Sequence, residues 1–318
     1  MSEPLEPYVR EAFLRIGKTP RFPLFKPSNN PPQVIRDAVN HIVVYRGAFN
    51  PPHVGHLGLL QHVLLYHGNG LNIVAAMVYP KNDAYIQYKN ERAREKFEIT
   101  QEDRCVLWED DHKFPNRAFT WKLCDGQAQV FARKLIEVAG KTGIRIKFIW
   151  LLGAELMPTR GGFSDWGGLC QDAVLSDFGR PNERFPFSRP AQIRGYLHWT
   201  PISYEIEREG RLLRSGTFTP YHGQSPLVAV VWRCVSIDDS HRKIYFVAYT
   251  GNARSHAPVE GLSSTRIRQG LREERGAELV STMSGMALSP GLLLNKIASG
   301  AVRMDVDQRE SIRGSLSL

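Results

Sequence analysis

Apolar residues follow two different patterns along this chain of 318 residues. Short, mainly apolar stretches at 42–46, 72–79, 144–152, 173–178 and 243–249 predict strands, and the run at 72–79 is typical of a strand buried on both faces of a parallel sheet. Between them, apolar residues recur at helical spacing from Leu57 to Leu65 and near 91–110 and 120–139. Strands that alternate with helices predict an α/β fold with a doubly wound parallel sheet.

The flanking and inserted segments predict the rest of the domain organisation. Residues 1–40 are Pro-rich around 19–32 and are expected to form an N-terminal extension, with a short helix and an arm over the main domain at 41–300. Within the insertion at about 182–227, Tyr196–Glu205 and Arg211–Phe218 predict a β-hairpin around Glu209-Gly210, interpreted as a surface loop rather than a lid. The tail at 301–318 is polar, and we expect it to be flexible and mostly disordered.

The loop after the first predicted strand reads Gly-Ala-Phe-Asn-Pro-Pro-His-Val-Gly-His at 47–56. A strand-to-helix loop places free N–H groups at a helix N-terminus, where an anion is favoured, and Gly47 lets backbone approach a phosphate closely. His53 and His56 lie three residues apart and share a face of the first helical turn, while Gly55 leaves space between them. Each feature alone fits an ordinary turn or a surface histidine. Their combination predicts a site for a polyphosphate.

A second segment, Leu-Ser-Ser-Thr-Arg-Ile-Arg at 262–268, opens another predicted helix. Ser263, Ser264 and Thr265 can cap that helix and can donate to phosphate oxygens, and Arg268 can fork onto a phosphate one turn later. The alternative interpretation is an N-cap followed by a basic, solvated helix face. Next to the first segment, the phosphate interpretation is favoured, and together the two segments predict a nucleoside triphosphate site.

These two segments resemble the motifs of the nicotinamide/nicotinic acid mononucleotide adenylyltransferase family, within the HxGH nucleotidylyltransferase superfamily. The family motifs are Gly-x-Phe-x-Pro-x-(His/Thr)-x-x-His and Ile-Ser-Ser-Thr-x-Ile-Arg, and Leu262 replaces the isoleucine. Three further stretches are similar to family segments: 79–89, 152–156 with Trp166 downstream, and 175–181. The resemblance runs from about residue 41 to about 295 and implies a Rossmann-like nucleotidylyltransferase fold.

The resemblance also implies roles for individual residues. The catalytic residues would be His53, His56 and Arg268, and the ATP- and phosphate-binding residues would be Gly47, Ala48, Phe49, Gly55, Ser263, Ser264 and Thr265. The mononucleotide would be bound by Asp83, Tyr85, Lys89, Gly153, Glu155 and Trp166. Trp166 would stack on the pyridine ring, although a buried core tryptophan is the alternative.

The implied reaction joins ATP and nicotinamide or nicotinic acid mononucleotide to give NAD or its deamido form and pyrophosphate. Mg²⁺ would bridge phosphate oxygens and keep most of its waters, so a full set of protein metal ligands is not expected. Three features depart from the family: Glu155 replaces an aspartate, 182–227 is long, and 251–261 is unusual. They leave open a related transferase that uses CTP or another acceptor such as phosphopantetheine, and a catalytically weak nucleotide-binding protein.

Composition and charge agree with an enzyme that handles polyanions. The net charge is +9, without a dense Lys/Arg run or a recognisable RNA-binding motif, so phosphate substrates rather than nucleic acid are expected. None of the four cysteines forms a Cys-x-x-Cys pair, and no stretch reaches the ~20 apolar residues of a membrane span. We expect no membrane association and a cytoplasmic location, with the nucleus left open. The oligomeric state is not predicted.

Overall fold

The computed structural model describes residues 1–19, 23–67, 70–153, 166–179, 190–202, 206–208, 211–213, 231–238, 242–248 and 262–316. Its strands are β1 (Ser2–Pro4), β2 (Gln33–Ile35), β3 (Val39–Gly47), β4 (Ile73–Pro80), β5 (Ala118–Thr120), β6 (Arg145–Gly153), β7 (Asp172–Ser176), β8 (Thr200–Ile202), β9 (Ile206–Arg208), β10 (Arg211–Leu213), β11 (Val231–Val235) and β12 (Lys243–Val247). Its helices are α1 (Glu6–Arg15), α2 (Val54–Tyr66), α3 (Asp83–Ala93), α4 (Gln101–Asp110), α5 (Asp125–Gly140), α6 (Ser264–Glu273), α7 (Gly276–Met286), α8 (Pro290–Ala298) and α9 (Val306–Leu316).

The central sheet has eight strands in the order β5-β4-β3-β6-β7-β12-β11-β8. Neighbours from β5 to β12 are parallel, whereas β11 and β8 add to one edge in antiparallel orientation. Numbered by chain position, the six parallel strands have the order 3-2-1-4-5-6, which is that of a doubly wound sheet. The predicted α/β class with a mostly parallel sheet is therefore confirmed, and the strand order is compatible with a Rossmann-like fold.

Alternation along β3 explains why helices cover both faces of this sheet. Ile42 and Val44 belong to a buried cluster with α1 and α5, whereas Val43 and Tyr45 belong to a second cluster with α2 and α4. Successive side chains of a strand point to opposite faces, so a strand buried on both sides must be apolar throughout. This is the physical origin of the apolar run Ile42-Val43-Val44-Tyr45.

The topology places the ligand crevice expected of such a fold. Strand β3 pairs with β4 on one side and β6 on the other, so the order of strands reverses between β3 and β6. In open α/β sheets, ligands bind beyond the carboxyl ends of the strands at this point of reversal. The carboxyl ends here are Gly47 of β3, Pro80 of β4 and Gly153 of β6.

The N-terminal segment is part of the hydrophobic core. Strand β1 pairs with β2, and the predicted short helix is α1, which buries Val9, Ala12 and Phe13 in the cluster that also contains α5. The ring centroids of Phe13 and Phe131 lie 4.5 Å apart. Residues 1–40 are thus packed into the main domain at these positions.

Two other segment predictions need correction. The tail, expected to be disordered, forms α9, and its Ile312 is buried in one apolar cluster with Val302 and Met304. A polar helix with one apolar side orders only when that side finds a partner, which the tail's composition does not reveal. The helical pattern predicted near 91–110 is two helices, α3 and α4, separated by residues 94–100.

The structure describes an antiparallel strand pair at the predicted hairpin, but its first strand, β9, lies after the predicted Tyr196–Glu205; residues 203–205, 209–210 and 214–218 of this prediction lie outside the described residues. Strand β9 pairs with β10 in antiparallel register, with Arg208 opposite Arg211. Residues 200–202, which were assigned to the hairpin, instead pair with β11 at the edge of the central sheet. Among the helices that the structure describes, none is both long enough and apolar enough to cross a membrane.

Candidate active site

The two predicted phosphate segments meet in space, beyond the carboxyl end of β3. The Ser264 hydroxyl donates to the carbonyl oxygen of Pro51 at 2.8 Å, and Arg268 Nη1 donates to the carbonyl oxygen of Asn50 at 2.7 Å. These contacts dock the start of α6 on the loop that precedes α2. Two helix N-termini, each with N–H groups that have no intrahelical acceptor, therefore lie in one region.

The loop between β3 and α2 is held by its carbonyl oxygens. Besides those of Asn50 and Pro51, the carbonyl of Gly47 accepts from Lys81 N at 2.9 Å, that of Ala48 from Arg104 Nη1 at 2.7 Å, and that of Pro52 from Leu288 N at 3.3 Å. Five carbonyl oxygens of one short loop are thus bonded to groups from four other parts of the chain. The loop conformation is fixed before any ligand arrives.

Phe49 anchors the loop from within the protein. Its φ is +48°, in the left-handed region that non-glycine residues rarely adopt, and its ring is buried against Tyr45 and Trp108. A Cβ on Gly47 would lie 2.6 Å from that ring, so only glycine fits there. Phe49, predicted to bind ATP, therefore fixes the shape of the loop through its buried ring. Gly47 and Ala48 contribute to the loop through their backbone carbonyl groups, which are hydrogen-bonded.

His53 and His56 form a reciprocal cap at the start of α2. The backbone N–H of His56 donates to Nδ1 of His53, and that of His53 donates to Nδ1 of His56, both at 3.3 Å. The two rings are stacked, with centroids 3.5 Å apart and an angle of 25° between the ring planes. Because both Nδ1 atoms accept, this pattern assigns the proton of each neutral imidazole to Nε2. Nε2 of His53 is buried in this structure, whereas the side chain of His56 is half-buried.

Gly55 and the neighbouring aromatic rings hold this histidine pair in place. A Cβ on Gly55 would lie 3.1 Å from Nδ1 of His53, so a larger residue would press on the ring. His56 contacts Phe49 edge-on, with centroids 4.8 Å apart. His53 is buried and His56 half-buried, so His56 is the more accessible of the two to a ligand.

The N-terminus of α6 is capped as predicted, whereas Arg268 has a different environment from the one expected. The Ser263 hydroxyl accepts from the N–H of Arg266 at 3.1 Å. Arg268 is buried: besides Asn50, its Nη2 contacts the Thr265 hydroxyl at 3.1 Å and Glu95 at 2.6 Å. Burial lowers the pKa of Arg268, and the Glu95 charge opposes that shift. In this structure the guanidinium binds Asn50, Thr265 and Glu95, and its contact with a phosphate stays a prediction.

Sequence reasoning missed Arg104 and the role of Asn50. Arg104 is fully buried and donates to Ile99, Ala48 and Asp83. Asn50 binds residues 97 and 99, accepting from Ile99 N at 3.1 Å and donating to the carbonyl of Phe97 at 2.8 Å. One signal was available, because Arg104 shares a helix face with the apolar Leu107 and Trp108, where a charge requires a partner.

The predicted mononucleotide residues on α3 lie beyond the end of β4. Asp83 accepts from Arg104 at 2.8 Å and from Gln101 N at 2.5 Å, so its carboxylate has a structural task. Lys81 Nζ lies 3.6 Å from the ring centroid of Tyr85. A hydrogen bond from Lys81 lowers the pKa of the Tyr85 phenol, and the charges of Lys81 and Lys89 lower it further. Lys89 is exposed, so this part of the rim is cationic.

Of the remaining predicted mononucleotide residues, the structure describes Gly153 and Trp166. Gly153 ends β6 beside Ser176, at the predicted rim. Glu155 lies outside the described residues, as do Arg180-Pro181 and the segment 251–261. Trp166 is 4% exposed and packs within the core cluster, 5.8 Å from the ring centroid of Trp150. The structure thus favours the core alternative for Trp166 over stacking on a ligand.

No group of three or more His, Cys, Asp or Glu side chains in the described part of the chain could hold a metal ion. Comparison of the chain with models of protein families and with curated protein sequences found no match.

Proposed function

We propose that this protein is an adenylyltransferase that joins ATP and a pyridine mononucleotide, nicotinamide or nicotinic acid mononucleotide, to give the dinucleotide and pyrophosphate. One observation carries the proposal: Ser264 and Arg268 bind the carbonyls of Pro51 and Asn50 and bring two helix N-termini together beside His53 and His56. This arrangement suits a triphosphate. The motif resemblance supplies the adenylyl-transfer chemistry.

The reaction needs no covalent enzyme intermediate, because the attacking group is already an anion at neutral pH. A phosphate oxygen of the mononucleotide attacks the α-phosphorus of ATP in line, a P–O bond forms, and the bond to the β-phosphate breaks. Negative charge moves onto the departing pyrophosphate. Nε2–H donors of His53 and His56 and the N–H groups that start α2 and α6 would stabilise this charge.

Mg²⁺ would fit this site as an ion carried by the substrate. Such an ion would be bound mostly by phosphate oxygens and water, so the proposal requires no full set of protein ligands. When bound, the ion would neutralise phosphate charge. The protein would hold the complex through Ser263, Thr265 and the amides of the two helix starts.

The acceptor has weaker support than the phosphate chemistry. Lys81, Lys89 and Tyr85 form a cationic, partly aromatic rim next to the loop, which suits the phosphate of a mononucleotide. Trp166, buried in the core, adds nothing to recognition of a pyridine ring in this conformation. The identity of the base therefore depends on the resemblance, and a different acceptor is the second candidate.

An acceptor screen tests the proposal directly. Purified protein with Mg²⁺ and either ATP or CTP would be offered nicotinamide mononucleotide, nicotinic acid mononucleotide and phosphopantetheine, while pyrophosphate release and product mass are measured. We expect a dinucleotide only with ATP and a pyridine mononucleotide. Activity with phosphopantetheine alone would show that the proposed acceptor is wrong and that phosphopantetheine is the acceptor. ATP binding without pyrophosphate release for any acceptor would indicate a nucleotide-binding protein.

The variant His56→Ala tests the catalytic assignment in the same assay. Loss of a transition-state donor lowers kcat on the order of 10²–10³-fold. Far-UV circular dichroism establishes that the variant is folded. A folded variant within a few-fold of wild-type turnover would contradict the role of the histidine pair.

A further inference from the structure

Arg104 lies at the junction of two loops that both belong to the proposed site. It is fully buried, and each of its three guanidinium nitrogens donates: Nε to the carbonyl of Ile99 at 2.9 Å, Nη1 to the carbonyl of Ala48 at 2.7 Å, and Nη2 to Oδ1 of Asp83 at 2.8 Å. The first contact anchors the side chain at the start of its own helix. The other two reach out to separate segments.

Those two segments follow neighbouring strands of the sheet. Ala48 belongs to the loop after β3, which leads into the histidine pair of α2. Asp83 is the first residue of α3, after β4, and α3 also carries Tyr85 and Lys89. In the proposed function, the first segment holds the triphosphate and the second faces the acceptor. One rigid, planar group therefore touches both sides of the reaction.

We propose that Arg104 is a positioning residue that sets the distance and orientation between the triphosphate loop and the acceptor helix α3. The inference rests on the proposed function for the meaning of the two sides. In-line attack requires the incoming phosphate and the α-phosphorus to be aligned, and a displacement of about 1 Å costs on the order of 10²-fold in rate. A guanidinium fork fixes two acceptors at once, whereas a lysine ammonium acts as a point charge.

Arg117 provides a matched control within the same protein. Its guanidinium also binds backbone carbonyls, those of Leu64 at 2.6 Å and Ile73 at 3.4 Å. Ile73 begins β4, so this second arginine serves the opposite end of the sheet from the proposed site. Arg117→Lys should therefore report the general cost of replacing a partly buried arginine.

The experiment combines amide hydrogen exchange with steady-state kinetics for Arg104→Lys, Arg117→Lys and Asp83→Asn. Arg104→Lys should speed exchange about tenfold or more in peptides that cover 47–57 and 81–86, since a charge-assisted hydrogen bond is lost on each side. It should lower kcat on the order of 10²-fold. Asp83→Asn weakens the contacts of α3 with Arg104 and with Gln101 N and leaves the Ala48 contact in place, so it should speed exchange in 81–86 more than in 47–57. Arg117→Lys should change neither the two peptides nor kcat.

The inference would be overturned if Arg104→Lys and Arg117→Lys changed the amide exchange rates equally throughout the chain. Arg104 would then contribute only to the general stability of the protein. Unchanged exchange at 47–57 in a folded Arg104→Lys variant would also overturn the inference. If Arg104→Lys does not fold, Asp83→Asn decides: its carboxylate is half exposed, and no effect on exchange at 81–86 or on kcat would refute the link. Wild-type protein that releases no pyrophosphate would instead refute the proposed function, and the exchange data would still test the positioning of the two segments.

Discussion

The hydroxyl of Ser264 donates a 2.8 Å hydrogen bond to the carbonyl of Pro51, although the two residues are 213 positions apart in the chain. Both belong to segments that predict phosphate binding, and this bond joins them. Pro51 has no N–H and precedes another proline, so its carbonyl is the polar group that this part of the loop offers to a partner. The contact makes one site of two distant motifs.

Replacing Ser264 with alanine should loosen this junction. The buried carbonyl loses its donor, and the free energy of unfolding should fall by about 1–2 kcal/mol. The KM for ATP should rise because the start of α6 is no longer docked on the loop. Ser284→Ala is the matched control, since its hydroxyl donates at 2.8 Å to the carbonyl of Val280 on the exposed side of its own helix. Equal effects of the two substitutions on KM would contradict a role for the junction.

Arg268→Lys should destabilise the protein as well as impair ATP binding. Its guanidinium binds Asn50 and Thr265 and pairs with Glu95, whose side chain is only 15% exposed, so a single ammonium leaves buried acceptors unsatisfied. We expect a loss of about 1–3 kcal/mol on urea unfolding. The exposed Arg266→Lys should stay within about 0.5 kcal/mol. A stable Arg268→Lys variant with a raised KM for ATP would instead indicate that the guanidinium serves the ligand.

The C-terminal helix should contribute to stability through its single buried isoleucine. Ile312 is fully buried in a cluster with Leu271 and Val302, and truncation to alanine removes apolar contacts and leaves a cavity. Ile312→Ala should cost about 2–4 kcal/mol. Val306→Ala on the same helix, where the side chain is 67% exposed, should change stability by less than about 0.5 kcal/mol. Equal midpoints in urea for both variants would mean that α9 is not packed as described.

Two buried histidines should make the fold sensitive to acid. Burial lowers the pKa of His41 and of His62 to about 4, from 6.5. Between these values the unfolded chain binds more protons than the folded one, so the stability is complete above about pH 6.5 and falls as the pH drops to about 4. Each histidine should contribute roughly 3 kcal/mol to this loss. The measurement is urea unfolding of wild type, His41→Gln and His62→Gln from about pH 7 to about pH 4. Each variant should lose less stability over this interval than wild type, and parallel curves would refute the assignment.

The sequence alone predicted the α/β fold class and the two segments, 47–56 and 262–268, that meet beyond the end of β3. An apolar run such as 42–45 is stabilised by burial on both faces, so β3 and the parallel sheet followed from the local pattern. The loop at 47–56 and the helix start at 262–268 were also recognisable locally, because glycine, proline and capping residues act on their immediate backbone. Their capping roles at His53 and Ser263 depend on neighbours within three residues.

Tertiary structure decided which partner each versatile side chain uses. The Arg268 guanidinium can satisfy its donors on a phosphate or on protein oxygens, and the fold brings Asn50 and Glu95 within its reach. Trp166 could stack on a ligand or belong to the hydrophobic core, and its packing against Trp150 favours the core. In the sequence, Arg104 is indistinguishable from an ordinary charged residue of a helix. Its role depends on Ala48 and Asp83, which the fold brings to it from other parts of the chain. Hydrogen bonds and apolar contacts depend on distance in space and not on separation along the sequence. The partners of these side chains are therefore set by which groups the fold brings within reach.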